Sequence, residues 1–357
     1  MFIKQLYTGC LSEAAYYIES NGEAAVIDPL RDIDAYLELA NERKASIKYI
    51  FETHFHADFV SGHQDLSAKT GAAIVFGPTA APSYPVHVAT DGEILKLGKV
   101  TIKVLHTPGH TMESSTYLLR DEQGKDYAIF SGDTLFIGDV GRPDLVQKLN
   151  ADVTPQILAG HLYDSLRDKI MPLADHVIVY PGHGAGSACG KKMMTETVDK
   201  LGNQKKVNYA LSQPNKEAFI KAVTDGLMPP PAYFPANVAM NKKGYTSFEE
   251  VKSRGMSSLT PEVFDVITGV PQAMASRSTI PKASRRHWAG LTSISAREIV
   301  SINTLRSSLP VNLARTDSLS AIFSRRKRSS PSPTSTRSRF SVFCTSFMAR
   351  MSTSAPL

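Results

Sequence analysis

One pattern of apolar and polar positions recurs along roughly the first 200 residues: a short β-rich apolar run, then a polar loop carrying His or Asp. It appears as Ile47–Phe51 before Thr53-His54-Phe55-His56-Ala57-Asp58, and as Val100–Leu105 before Thr107-Pro108-Gly109-His110. It returns as Tyr127–Phe130 before Ser131-Gly132-Asp133, and as Val177–Tyr180 before Pro181-Gly182-His183. Helical periodicity falls between these runs and predicts helices over Ile33–Glu42, Ser61–Thr70, Pro155–Lys169 and Lys191–Leu201. Strands interleaved with helices predict an α/β architecture, sheets covered by helices. A ligand-type residue just past each strand end lets a rigid sheet aim several loops at one point.

After residue 202 the pattern changes. Residues 203–246, with Lys205-Lys206, Pro229-Pro230-Pro231 and Tyr233-Phe234, read as a connector, extended in its Pro-rich part, that packs on the first domain or leaves it. A new globular pattern starts within 247–273 (Phe248, Val251, Leu259, Val263, Phe264, Ile267), and beyond it the alternation fails. Charge sharpens that last boundary. The 357-residue chain has a net charge of +6, but residues 274–357 hold 14 Lys and Arg against two acids, Glu298 and Asp317. The same stretch holds 20 Ser, 8 Thr and one Gly, so no packed domain is expected there. The first 273 residues, with 26 basic and 32 acidic groups, are mildly acidic and give no reason to expect a nucleic-acid partner. No apolar run has the length of a membrane span. The start, MFIKQLYTGC, lacks the features of a signal peptide, and three scattered cysteines make no disulfide framework; a cytoplasmic protein is expected.

His-x-His-x-Asp in one loop, with His and Asp at three later strand ends, gathers metal-ligand types that have little other reason to coincide. Imidazole and carboxylate suit Zn, Fe, Ni or Mn rather than the soft metals that want thiolates. The remaining histidines, His63, His87, His106, His161, His176 and His287, are read as ordinary core or surface residues.

Thr53–Asp58, Thr107–His110, Ser131–Asp133 and Pro181–His183 resemble, in order and spacing, the metal-binding motifs of the metallo-β-lactamase superfamily. The resemblance covers about residues 1–240 and implies an αββα sandwich, here over residues 1–202, with the metal at one edge of two sheets. Binuclear hydrolases of that superfamily, glyoxalase II among them, carry a further His directly after the Asp; this chain has Phe59 there. A phenyl ring has no lone pair, so one metal per subunit is expected. Among mononuclear members the chain is most similar to the persulfide dioxygenases, in the branch fused to rhodanese domains. That resemblance implies Fe(II) held by His54, His110 and Asp133, a facial triad that leaves three positions for O2 and a sulfur substrate. His56, Asp58 and His183 then orient the ligands, set their basicity or hold a water, with direct ligation by His183 as the alternative. The implied reaction is R–S–SH + O2 + H2O giving R–SH and sulfite; the implied partners are a thiol persulfide, O2 and a second copy in a homodimer. The other reading is a zinc hydrolase of glutathione thioesters.

Arg142, in Gly141-Arg142-Pro143-Asp144, is expected either to grip an anionic group of the thiol carrier or to form an ion pair with Asp144 or Asp139. Tyr180 is expected to line the pocket or to belong to the core. The run Gly182–Lys192 is not a Walker A loop, because Ala185 and Lys192 stand where Gly and Ser or Thr are required. It resembles the Gly-Ser-Ala-Cys-Gly run of the rhodanese-fused branch. Cys189, at a predicted helix start, either has a depressed pKa and carries sulfur or is a small packed residue. Met256–Gly269 resembles a rhodanese opening with no active loop after it. The basic tail is read as a shifted reading frame in preference to a disordered extension or an electrostatic arm.

Overall fold

The computed structural model describes residues 1–145 and 153–256. Most of the rhodanese-like segment and all of the basic tail lie outside the described residues. Met1–Gly255 form one compact unit.

Its first sheet has β1 (Phe2–Thr8), β2 (Glu13–Ser20), β3 (Glu23–Ile27), β4 (Ser46–Phe51), β5 (Ala73–Phe76) and β6 (His87–Val88), in that spatial order. β1 to β3 run antiparallel and β3 to β6 parallel. The second sheet has β7 (Ile94–Leu97), β8 (Val100–His106), β9 (Ser115–Arg120), β10 (Asp126–Gly132), β11 (Ile178–Pro181) and β12 (Asp199–Lys200). All its pairings are antiparallel except the parallel β10–β11.

Period-2 alternation splits each strand between two cores, which makes near-continuous apolar strands worthwhile. On β2, Tyr16 and Ile18 face the second sheet's Ile102, Val104, Tyr117 and Phe130. Ala15 and Tyr17 face outward, into a core shared with α1 (Asp34–Arg43) and α2 (His63–Thr70). The outer face of the second sheet, with Leu118, Ile129 and Val179, is covered by α3 (Pro155–Ser165) and by α5 (Lys216–Thr224). Between them in sequence lies α4 (Leu201–Val207). Helix, sheet, sheet, helix is the expected αββα order. α3 and α5 start where their sequences say they should: Thr154 and Asn215 cap the amides of Ile157 and Ala218, and Pro155 sits in the first turn of α3.

One expectation fails. No helix covers Lys191–Leu201, which is loop until β12, because its amides have tertiary partners: Lys191 N and Lys192 N donate to Asp139 Oδ2 (2.5 Å each), and Met194 N to Ile137 O (2.8 Å). Residues 203–246 carry most of α4, then α5 and α6 (Phe234–Lys243), within the same unit, with no helix through Pro229–Pro231, and α7 (Phe248–Met256) follows. Among the described residues no helix is long and apolar enough to cross a membrane.

Candidate metal centre

The ends of β3, β4, β10 and β11, together with the loop joining β8 to β9, meet at one edge of the two sheets. Ser115 N donates to Thr53 O across them (2.9 Å), and Gly182 N to Gly132 O (2.9 Å). Gly132 is required at this crossing: its φ is +50°, and a Cβ would lie 2.5 Å from the Thr53 side chain.

His54, His110 and Asp133 are brought together there, all buried, with one ligand atom from each lying within 4.8 Å of the others. Asp133 Oδ2 is 3.3 Å from His110 Nε2 and 3.9 Å from His54 Nε2. Ligands at right angles on bonds of about 2.0–2.2 Å stand about 3 Å apart, so these separations suit a common cation. The hydrogen bonds also settle which nitrogen is free. Thr53 Oγ1 donates its single proton to Asp28 Oδ2 (2.8 Å) and therefore accepts from His54 Nδ1 (3.0 Å). His110 Nδ1 donates to Arg142 O (2.9 Å). Both imidazoles thus turn an Nε2 lone pair towards Asp133 Oδ2, which has no hydrogen-bond partner of its own. A buried carboxylate oxygen facing two lone pairs is what a metal ion satisfies.

Electrostatics agree. Burial, then the neighbouring His56, push the His54 imidazole well below its usual range, leaving it neutral and able to ligate. Burial alone would raise the Asp133 carboxyl, but His183, hydrogen-bonded to its Oδ1, outweighs it and holds Asp133 well below the carboxylate range.

The other three candidate residues sit beside this trio. His183 spans two carboxylates, Nδ1 to Asp133 Oδ1 and Nε2 to Asp58 Oδ2, each at 2.8 Å. Against the cost of burial, those two carboxylates raise its pKa well above the usual value. Asp58, His183 and Cys189 form a second buried group with ligand atoms within 4.8 Å of one another. His56 Nε2 lies 3.1 Å from Asp28 Oδ1 and 3.7 Å from Glu52 Oε2, while its Nδ1 has no partner. Burial opposes the charge on His56, but Asp28 raises its pKa to about 9. Phe59, 3% exposed, stacks on the His56 ring.

Arg142 and Tyr180 are placed differently. The Arg142 guanidinium is 5% exposed and holds Asp144 with two bonds, Nε to Oδ1 (2.6 Å) and Nη2 to Oδ2 (2.7 Å), plus the carbonyls of Ala188 and Met228. That is the ion-pair reading, and the guanidinium has no free fork for a substrate. Tyr180, half-buried, stacks on Phe130 (5.2 Å between centroids) and packs against Tyr16 at the margin of the core between the sheets. Cys189 is not at a helix start; burial, then Asp133 and Asp58, push its thiol well above the usual range, so it is not poised as a free thiolate.

Asp28, Glu52 and Glu13 are site residues that the motifs do not mark. Asp28 and Glu52 form a third buried group with His56. Glu13 is buried with neither carboxyl oxygen partnered, and burial raises its pKa well above the usual range. Asp28 and Glu52 directly follow β3 and β4, so the strand-end rule that finds Asp133 covers them too. Glu13 opens β2, immediately before the apolar run Ala14–Ile18.

An αββα sandwich with a buried His, His, Asp trio at its sheet edge defines a metal-dependent enzyme fold. The metallo-beta-lactamase superfamily model matches residues 8–183, and the chain belongs to that superfamily. It is 36% identical to a metallo-beta-lactamase from Staphylococcus aureus subsp. aureus COL, with 70% of this chain and 74% of that one covered at a TM-score of 0.65. It is 30% identical to ETHE1 from Myxococcus xanthus, covering 68% of this chain and all of that one at a TM-score of 0.56. Among curated relatives it is 32% identical to a cytoplasmic hydroxyacylglutathione hydrolase of Arabidopsis thaliana, over 51% of this chain and 67% of the relative.

Proposed function

We propose that the protein is an iron-dependent dioxygenase that oxidises a low-molecular-weight thiol persulfide, such as glutathione persulfide, to sulfite and the thiol. The observation that carries this reading is the division of labour at Asp133. Its Oδ2 faces the Nε2 atoms of His54 and His110, while its Oδ1 is taken by His183 Nδ1. His183 is thereby an orienting group, and the metal-facing set reduces to two imidazoles and one carboxylate, the donor set of a non-haem Fe(II) oxygenase.

One Fe(II) per subunit held by His54, His110 and Asp133 would supply the redox chemistry and the activation of O2 and of the substrate sulfur. The protein's own part is geometry. Thr53 Oγ1 and Arg142 O fix the two imidazole tautomers, and Gly141 permits the second: a Cβ there would lie 2.0 Å from Asp133 O and 3.0 Å from His110 Nδ1. Asp58 holds the far nitrogen of His183, which fixes the plane of the Asp133 carboxylate. Substrate, O2 and a homodimeric partner belong to the same proposal.

The second reading is a zinc hydrolase of glutathione thioesters. It is favoured by the Asp58, His183, Cys189 group, which offers a second metal a thiolate where Phe59 withholds an imidazole, and by the names of the curated relatives. Metal analysis with paired assays separates the two. One iron per chain with persulfide-dependent O2 consumption supports the dioxygenase. Two zincs per chain with thioester turnover and no O2 uptake overturns it.

A further inference from the structure

The metal-binding loop between β4 and α2 has no regular structure, and its backbone groups are buried. Buried carbonyls and amides without partners are costly, so something must bond them. The partners come from far along the chain. Asn241 Nδ2 donates to His56 O (2.8 Å) and to Phe59 O (2.9 Å), and Asn241 Oδ1 accepts from Ser61 N (2.9 Å). Asn237 Nδ2 donates to Ala57 O (3.0 Å). The two asparagines are four residues apart on one face of α6 and are 6% and 1% exposed, Asn237 first. Both amide protons of Asn241 and one lone pair are spent on a single loop of six residues.

α6 is itself anchored. Tyr84 Oη donates to Asn241 O (2.5 Å), Ser83 N donates to Lys242 O (2.8 Å), and Phe234 packs with Ala57, Phe136 and Cys189. Just past the helix, Tyr245 Oη donates to Ser61 O, and Arg31 lies 3.7 Å over the Tyr245 ring. The helix lies beyond residues 8–183, the part that matches the superfamily model.

We infer that α6 is a clasp on the metal-binding loop, with Asn241 as its positioning residue, holding the backbone from His56 to Ser61, which begins two residues past the ligand candidate His54, in place before a metal arrives. The inference rests on the metal reading above but has a readout that needs no metal. Asn241 acts through the loop backbone and touches no ligand side chain, so its effect falls on metal retention and loop protection rather than on the identity of the metal.

The test compares wild type, Asn241→Ala, Asn241→Asp and Arg167→Leu. The Arg167 variant loses three bonds, to Met171 Sδ, Leu211 O and Gln213 O, away from the loop. Each protein is loaded anaerobically with Fe(II), and its release to a chelator is timed; hydrogen exchange at the Ser61 amide is followed in the metal-free proteins. Both Asn241 variants should release iron at least ~10-fold faster, the scale on which groups supporting metal ligands act. The Ser61 amide should lose protection in Asn241→Ala, which removes its acceptor, while Arg167→Leu changes neither at a comparable loss of global stability. Unchanged release and exchange in both Asn241 variants, or equal changes in Arg167→Leu, overturn the clasp. If neither Asn241 variant folds, Asn237→Ala should show the same sign at smaller size, and no change there overturns it. A wild type that takes up no iron sinks the metal reading, and Ser61 exchange then decides the clasp alone.

Discussion

The imidazole of His56 and the phenyl ring of Phe59 stack with centroids 4.3 Å apart and planes 30° from parallel. Phe59 therefore does two things at the position where binuclear relatives carry a ligand: it offers no lone pair, and its face supports a neighbouring imidazole. Phe59→His should restore the missing donor beside Asp58 and His183. Protein reconstituted with excess zinc is expected to rise from about one metal per chain towards two, read by elemental analysis on desalted samples. A stoichiometry that stays at one would mean that Phe59 is not what limits the second position.

His110 reaches the centre from the β8–β9 loop, and its ring is locked by the Arg142 carbonyl at 2.9 Å. His110→Ala removes one of the three proposed ligand atoms and leaves both sheets untouched. Iron content should fall to background while far-UV circular dichroism and the unfolding profile of the metal-free protein stay close to wild type. Because ligand that binds only the folded state stabilises it by mass action, wild type should gain about 4 kcal/mol at a thousandfold excess of metal over its dissociation constant. His110→Ala should gain nothing at the same metal concentration. Retained iron would show that His110 is not a ligand.

Arg142 sits 5% exposed with its guanidinium closed on Asp144. Removing the guanidinium strands the Asp144 carboxylate, but that side chain keeps 15% of its exposure, so water compensates part of the charge and the loss falls below the about 3–5 kcal/mol of a fully buried pair. Arg142→Leu is therefore expected to lower the urea midpoint sharply. Arg142→Lys, which keeps the charge but not the fork, should lose part of that. In neither variant should the KM for a persulfide rise out of proportion to the loss of folded protein. A selective rise in KM at unchanged stability would assign Arg142 to the substrate.

The trio at the sheet edge is legible in the sequence because each ligand directly follows a β-rich run, and a strand end fixes where the next residues point. The αββα layering is legible for a related reason: strands buried on both faces read as near-continuous apolar runs. Asn237 and Asn241 are not legible, since an asparagine pair on an exposed-looking helix gives no sign that its partners lie about 180 residues earlier. The helix predicted over Lys191–Leu201 fails for the converse reason. Its periodicity is genuine, but the carboxylate of Asp139 takes two of the amides that would have started it. Arg142 shows the limit of motif matching: Gly141-Arg142-Pro143-Asp144 places the residue near the site, but only the Asp144 contact says what its guanidinium does.

His56 links the site to pH in the metal-free protein. Asp28 raises its pKa from the usual 6.5 to about 9, so the folded state holds this proton more tightly than the unfolded chain does. The stabilisation is full below about pH 6.5 and is lost as pH rises through about 9. His183, Glu13 and Cys189 are shifted in the same direction, so the wild-type slope contains all of these groups. Asp28→Asn separates them: it removes the carboxylate against His56 and leaves Asp58 and Asp133 against His183. Urea unfolding of the metal-free proteins between pH 6 and 10 should show wild type losing stability across that window, with a smaller loss in Asp28→Asn. A bound metal opposes this trend, because ligation favours the deprotonated forms of its ligands. Parallel curves for wild type and Asp28→Asn would show that the Asp28 contact does not hold a proton on His56.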